Sequence, residues 1–292
     1  MLHTLLYFLA LFSLSTSSNW AKLNHMPVEV LGFYRLGIAS LLLGVWLFVV
    51  KKRKIPTFSK DSLWILVSGT FLFMHLWTFK YAAKNTSISN CMIIFSSNPI
   101  WASLGAVLFF KEKLSSRLVI SYFLALIGVY VLVAPELQIG KTLNSGDLSA
   151  FVSAILYACY MLAGKRARLN FDNVIYSFGQ YLVCALWFGL CALYTGAPMT
   201  GYDSVSWLAI AGLLALPTFF GHFSFTYLVE HMNISIMTCG KLIEPVIASI
   251  IAAIVFNEKL SPTAPTAFCL TATSVIILFG PNIYKQFRRQ FE

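Results

Sequence analysis

The sequence predicts an all-α integral membrane protein with ten transmembrane helices, arranged as two inverted five-helix repeats. Three observations support this prediction: 58% of the 292 residues are hydrophobic and only 11% are charged, the apolar residues form about ten long stretches, and the two halves of the chain resemble each other. A soluble domain of this length would need more polar surface, so lipid must surround most of the chain.

The apolar stretches have the length that a bilayer requires, which is roughly 20 residues for a helix. We predict spans at residues 2–19, 30–50, 62–83, 87–110, 116–134, 146–164, 173–195, 206–229, 234–256 and 262–281. The first stretch has no basic residue before it, so we interpret it as helix 1 and not as a signal peptide. Almost no sequence remains for a soluble catalytic domain.

The two halves match when the sequence is shifted by 146 positions, which aligns 81–115 with 227–261. Twelve of these thirty-five pairs are identical, and the match ends on Glu-Lys-Leu-Ser at 112–115 and 258–261. We therefore predict one repeat at 1–140 and another at 141–292. Because each repeat has an odd number of helices, the second must enter the membrane from the opposite side, as in many secondary transporters.

The formal net charge of +10 is distributed unevenly over the predicted loops. If the N-terminus is cytoplasmic, fourteen Lys and Arg residues fall on the inner side and five on the outer side. The positive-inside rule then predicts that both termini are cytoplasmic, and the charge needs no nucleic-acid partner. The six cysteines lie within spans and form no CxxC pair, so we expect neither a disulfide framework nor a metal site, and no cofactor.

Several motifs carry a family resemblance along nearly the full chain. They are Ser18-Asn19-Trp20-Ala21-Lys22, Phe33-Tyr34-Arg35-Leu36, Asn98-Pro99-Ile100 with Phe110-Lys111-Glu112-Lys113-Leu114-Ser115, and Glu244-Pro245-Val246 with Phe256-Asn257-Glu258-Lys259-Leu260-Ser261-Pro262. The chain resembles EamA-type members of the drug/metabolite transporter superfamily. This resemblance implies ten helices and the movement of small metabolites by alternating access, commonly as export.

Glu244 is the first candidate for a substrate-binding residue, because it lies roughly 15 Å into helix 9, near the middle of the membrane. An ionisable group at that depth is costly and usually functional. Lys241 lies three residues earlier on the same face. The pair could be a purely structural ion pair, or it could face a central cavity and contact a substrate or a proton.

Two prolines fall at equivalent positions of the repeats, Pro99 in helix 4 and Pro245 in helix 9. Each removes a backbone donor, and so we predict a helix break at both, although simple packing kinks would also fit. The residue before the proline is Asn98 in the first repeat and Glu244 in the second, so the two positions differ in chemistry.

Other candidates for substrate contact are polar or aromatic residues within spans. Thr218, His222 and Thr226 form an i+4 stripe with Glu230 on helix 8, which we expect to face the cavity, although His222 could be a packing residue. Arg35 and Lys80 could extend to the lipid headgroups or point inward, where they would favour a carboxylate or phosphate. Trp101, Tyr157 and Tyr160 could line the cavity or simply pack.

The sequence contains no motif of a soluble enzyme, and we predict a transporter and not an enzyme. We expect an exporter of a small polar or zwitterionic metabolite, such as an amino acid or related organic acid. We further expect it to lie in the cell inner membrane as a monomer or homodimer and to couple transport to a proton or a counter-solute. One alternative is an exchanger of a nucleotide-containing metabolite, such as S-adenosylmethionine or a nucleotide sugar. An alternative of another class is a lipid scramblase or a structural partner in the membrane.

Overall fold

The structure is a computed structural model that describes residues 2–53, 59–86, 91, 94–134, 145–257, 260 and 262–288. At 83, 84, 133 and 281–288 it describes the backbone only. The predicted boundary between the repeats at 140/141 lies outside the described residues, as do Glu258, Lys259 and Ser261 of the second Glu-Lys-Leu-Ser motif.

The described residues form ten helices and no strand, which confirms the predicted fold class. In chain order they are α1 (Leu2–Ser15, continued after Thr16 by Ser17–Lys22), α2 (Val28–Val50), α3 (Ser62–Asn85), α4 (Asn98–Phe110), α5 (Ser116–Val133), α6 (Ser145–Arg168), α7 (Asn173–Thr195), α8 (Ser204–His231), α9 (Ile234–Phe256) and α10 (Ala264–Arg288).

Local capping explains where several helices begin. The Asp172 carboxylate accepts hydrogen bonds from the N–H groups of Val174 and Ile175 at 3.0 and 3.1 Å, which fixes the start of α7. The Asn233 side chain accepts from the N–H of Ile236 at the start of α9. These caps satisfy backbone donors that have no partner within the helix. The predicted spans 173–195 and 234–256 match both helices residue for residue.

The outer surface of the bundle is apolar. Among the described residues, six helices are long and apolar enough to cross a membrane (α2, α3, α6, α7, α8 and α9), and shorter apolar helices cover Asn98–Phe110, Ser116–Leu132 and Ala264–Gly280. Large side chains such as Leu193 and Ile254 are 76% and 75% exposed on this surface. Such a surface suits a lipid environment, whereas in water it would be an aggregation hazard.

The packing pairs helices across the two halves of the chain. The pair α3 and α6 has the most extensive contact, α2 packs against α7, and α5 packs against α10. In addition, α4 contacts α9, and α1 packs along α8. Three of these pairs join helices that are five positions apart in the chain: α2 with α7, α4 with α9 and α5 with α10.

Gly146 in the first turn of α6 lies against the end of α3, and a side chain there would collide with backbone. A Cβ atom at this position would lie 2.6 Å from the Asn85 carbonyl carbon and 2.7 Å from the Thr86 nitrogen. Because backbone atoms cannot rotate away, we expect Gly146→Ala to destabilise the protein by about 1–3 kcal/mol. Unfolding in detergent would measure this loss. Gly280→Ala is the matched control, since its nearest neighbour would be 3.6 Å away, and an equal effect of both changes would contradict the prediction.

Polar contacts show which helix ends lie together. Arg53 after α2 pairs with Asp172 before α7, and Arg168 of α6 pairs with Glu230 of α8. His3 of α1 contacts His231 at the end of α8. Because these ends also hold Lys51, Lys165 and other cations, we call this end of the bundle the basic end.

The other end, which we call the far end, is held by loop contacts. The Nδ1 atom of His25 lies 2.7 Å from the Asp203 carboxylate, and Asn24 donates to the carbonyl of Ser206. The hydrogen bonds from His25 and from the N–H of Ser206 lower the pKa of Asp203 to about 2. Asp203 therefore remains ionised at neutral pH and caps the first turn of α8.

Candidate functional site

A cavity of about 240 Å³ lies between the middle of the bundle and the far end. Its wall is formed by side chains of α1, α2, α3, α8 and α9 and by the residues around the start of α4. The lining residues are Leu14, Ser15, Ser17, Ser18, Ala21, Leu31, Arg35, His75, Leu76, Phe79, Lys80, Phe95, Ser96, Asn98, Leu213, His222, Lys241, Leu242, Glu244, Pro245 and Ala248. Most of the sequence candidates are therefore in one place.

Lys241 and Glu244 form an ion pair inside this cavity. The Lys241 Nζ atom lies 3.5 Å from a Glu244 carboxylate oxygen, and their side chains are only 11% and 21% exposed. The same ammonium lies 4.3 Å above the ring of Tyr157. Tyr157 thus holds Lys241 from behind by a cation–π contact instead of forming part of the cavity wall.

Both helices that carry the cavity's central residues are interrupted in front of a proline. In α9, the α-helix Ile234–Gly240 is followed by a 3₁₀ turn, Lys241–Ile243, before α-helix resumes at Glu244. On the other side, residues 96–97 form a turn and α4 begins at Asn98. Pro99 and Pro245 therefore occupy the first turn of a helix, where a missing N–H has no consequence.

The two interruptions satisfy their backbone carbonyls in different ways. Pro99 cannot donate to the carbonyl of Phe95, and the Asn98 side chain donates to it instead at 3.0 Å. Pro245 cannot donate to the carbonyl of Lys241, which accepts the N–H of Glu244. Because the backbone performs this task in α9, the side chain at 244 is free to carry a charge.

Arg35 extends from α2 and lines the cavity. Its Nε donates to the hydroxyl of Thr218 at 2.9 Å, and that hydroxyl donates to the carbonyl of Leu213. Thr218 itself is fully buried and does not line the cavity, so it orients Arg35 from behind. The two terminal nitrogens of Arg35 have no hydrogen-bond acceptor among the described residues, which leaves them available to an anion.

The polar stripe predicted on α8 is divided between two environments. Residues Leu214–Phe223 form a π-helical stretch around Pro217, and this wider winding changes the register of the residues that follow. His222 lines the cavity, whereas Thr226 donates to Asn173 at 2.8 Å and lies near Ser177 on α7. Glu230 pairs with Arg168 at the basic end. Uniform α-helical spacing could not reveal this division.

Besides Tyr157, two further aromatic candidates lie outside the cavity wall. Tyr160 is buried in the core, where its ring packs against Tyr157 with ring centres 5.4 Å apart. Trp101 packs against Phe151 and donates to the hydroxyl of Ser97 at 3.3 Å. We do not include Tyr160, Trp101 or Thr226 in the proposed binding site. Phe79 and Phe95 also line the cavity, but in the sequence nothing distinguishes them from the many other apolar residues of their spans.

Toward the basic end, the bundle is closed by an acidic residue at the end of α4. The Glu112 carboxylate accepts a hydrogen bond from Lys165 of α6 at 2.6 Å and from the N–H of Ile234 at 3.2 Å. It also lies 3.4 Å from the hydroxyl of Ser235. One carboxylate thus joins α4, α6 and the beginning of α9.

Arg168, one turn further along α6, makes a second set of contacts that closes the bundle at the basic end. Its guanidinium pairs with Glu230 and donates to the carbonyls of Thr226 and Phe171. Its side chain is 4% exposed. The last turn of α6 therefore connects to both α4 and α8, and the cavity lies beyond it.

A helical bundle with an apolar exterior, paired broken helices and a charged central cavity has the architecture of a membrane transporter. The sequence pattern of the EamA-like transporter family matches residues 1–134 and, a second time, residues 144–280. The chain belongs to the EamA-like transporter family, and it is a multi-pass membrane transporter.

Curated relatives agree with this assignment. An uncharacterized transporter of Archaeoglobus fulgidus is 25% identical over 78% of this chain and 80% of its own length. One of Clostridium kluyveri is 22% identical over 88% of this chain and 84% of its own length. A shorter match to another A. fulgidus transporter is 30% identical over 115 residues, which cover 40% of that protein.

A solved crystal structure shares the fold. It superposes with a TM-score of 0.81, covers 94% of this chain and 97% of its own, and is 17% identical in sequence. At that level of identity the likeness concerns the fold alone.

Proposed function

We propose that this protein exports a small zwitterionic or carboxylate-bearing metabolite, such as an amino acid, by alternating access. The observation that carries the proposal is the presence of Arg35, Lys241 and Glu244 in one mid-bundle cavity beside two helix breaks. Arg35 offers unpaired donors for a carboxylate, and the Lys241–Glu244 pair offers one charge of each sign.

The size of the cavity supports a small cargo. Its volume of about 240 Å³ is below the roughly 300–1,000 Å³ typical of pockets for drug-sized ligands. An exchanger of S-adenosylmethionine or of a nucleotide sugar would need a larger site. Membership of a transporter family supports solute transport over lipid scrambling. We propose either a monomer or a homodimer as the transporting unit.

The proposed orientation places the basic end in the cytoplasm, with both termini inside, in the cell inner membrane. The clustering of Lys and Arg at that end supports it through the positive-inside rule. The pairing of helices five positions apart supports a relation by inverted repeats. In this orientation the cavity lies toward the outside, and Glu112 and Arg168 close the cytoplasmic side.

Glu244 is the proposed coupling residue. When Lys241 and Arg35 pair with the carboxylate of the cargo, Glu244 loses its partner and takes up another positive charge, either a proton or a cationic group of the cargo; release of the cargo restores the ion pair. The cycle therefore needs a proton or a counter-solute as its second partner, and it needs no cofactor.

Inside-out vesicles test the proposed function directly. We expect vesicles that contain the protein to accumulate a radiolabelled amino acid faster than vesicles without it, in proportion to an imposed proton gradient. A counterflow assay with vesicles preloaded with unlabelled solute separates exchange from proton-driven export. If no amino acid or related organic acid is transported in either format, the proposed cargo class is wrong.

A further inference from the structure

The wall of the cavity holds hydrogen-bond acceptors for which the described part of the chain provides no donor. Two of them are buried atoms without a partner among the described residues, Oδ1 of Asn98 and Oε1 of Glu244. Asn98 and Glu244 are separated by 146 positions, so they are the equivalent residues of the two repeats. A buried acceptor left unpaired is unfavourable, and therefore such atoms indicate the place of a ligand donor.

The orientation of the Asn98 side chain follows from its contacts. Its amide nitrogen donates to the carbonyl of Phe95, and a carbonyl can only accept. The side-chain oxygen must therefore face the other way, and Asn98 itself lines the cavity. Because Pro99 creates the need for that donor, the helix break also fixes the acceptor.

His75 supplies a third acceptor. The hydroxyl of Ser153 uses its hydrogen on the carbonyl of His75 at 3.1 Å. Nδ1 of His75 lies 2.9 Å from that hydroxyl oxygen and 3.2 Å from the Ser153 carbonyl, so Nδ1 must carry the hydrogen. In the neutral imidazole Nε2 is then an acceptor, and it has no hydrogen-bond partner among the described residues.

Aromatic rings join these three residues into one surface. The His75 ring stacks on Phe95, whose carbonyl binds Asn98, with ring centres 5.4 Å apart. The same imidazole contacts Tyr157 at 5.1 Å, and Tyr157 supports Lys241 next to Glu244. A cation on this surface would meet both acceptors and aromatic rings, as sites for ammonium groups do.

We propose that Asn98, Glu244 and His75 form a subsite for a primary ammonium group, with Arg35 receiving the carboxylate of the same cargo. This subsite deepens the proposed function and rests on it, because it specifies a primary amine within the proposed class of carboxylate-bearing solutes. Three acceptors match the three N–H donors of an ammonium group. A site built to bond an N–H group rejects an analogue that lacks it, because the acceptors would remain unpaired.

Binding to purified protein tests the subsite. The twenty common L-amino acids are screened by thermal shift, and the strongest stabiliser is compared with the same molecule lacking its amino group and with the same molecule lacking its carboxylate. We expect the amino acid to bind at least tenfold more tightly than its deaminated counterpart. In Asn98→Leu and His75→Phe this ratio should fall below about threefold, whereas the lipid-facing Phe109→Leu should retain it.

The outcomes separate the subsite from the proposed function. Equal binding of the amino acid and the deaminated acid overturns the ammonium subsite and leaves the carboxylate-transporter proposal intact. Equal binding of the amino acid and its decarboxylated amine, without binding of the deaminated acid, supports the subsite and overturns the proposed function. If none of the twenty amino acids binds, both are wrong. Since His75→Phe could fail to fold, Asn98→Leu provides an independent reading of the same ratio.

Discussion

Glu244→Gln is expected to abolish transport, with a loss of at least about 100-fold in the rate of uptake into inside-out vesicles. The change removes the partner of Lys241, whose ammonium then remains in the cavity without a counter-charge. Without a carboxylate at 244 that can exchange Lys241 for another positive charge, the proposed cycle cannot be completed, and the unpaired ammonium also lowers stability by about 3 kcal/mol. Lys241→Ala should produce a similar loss. Uptake at the wild-type rate by both variants would contradict the assignment.

A double variant decides whether this pair is functional or only structural. In Lys241→Met combined with Glu244→Gln no charge remains unpaired. We therefore expect the double variant to regain most of the thermal stability that either single variant loses. Transport should remain absent, because neither a proton-accepting carboxylate nor a counter-ion for the cargo is left. If the double variant regains transport together with stability, the pair has a structural role alone.

Glu112→Gln is expected to open the basic end of the protein. Glu112 and Lys165 are 8% and 16% exposed, so removal of the carboxylate charge leaves a largely buried ammonium without a partner. It also weakens the hydrogen bonds to the beginning of α9. A cost of about 3 kcal/mol to the closed state would shift a two-state equilibrium by more than tenfold toward opening.

A single cysteine reports this opening. Thr238 is buried and lies three residues before Lys241, on the same face of α9 and nearer to the basic end. In a background without the six native cysteines, Thr238→Cys should react slowly with an impermeant maleimide applied from the basic side. Glu112→Gln should accelerate this reaction at least tenfold. The control Glu29→Gln makes the same change at the start of α2 near the far end, and an equal acceleration there would contradict the prediction.

Much of the fold could be predicted because the membrane imposes strong rules on sequence. The spans 173–195 and 234–256 match α7 and α9, since Asp172 and Asn233 provide caps that are visible in the sequence. The helix at 87–110 was less predictable. Ile94 and Phe95 are followed by Ser96 and Ser97, which do not by themselves end a helix, and only the structure shows a turn at 96–97 followed by a helix that begins at Asn98.

The sequence could predict those residues of the candidate site whose side chains are ionisable or carry an amide and lie within a span. Ionisable and amide side chains within spans are costly in lipid, and seven of them line one cavity: Arg35, His75, Lys80, Asn98, His222, Lys241 and Glu244. Residues such as Thr226 depended on the winding of α8, which sequence periodicity does not encode. The contact of Glu112 with Lys165 joins residues 53 positions apart, and no local sequence pattern predicts it.

The π-helical stretch Leu214–Phe223 divides α8 along its length into two segments with different surroundings. His222, which lines the cavity, is the second-last residue of this stretch, and the residues that meet α6 and α7 follow it in regular α-helix. We therefore expect a substitution at His222 to alter the cavity wall while Thr226 and Glu230 keep their partners on α7 and α6.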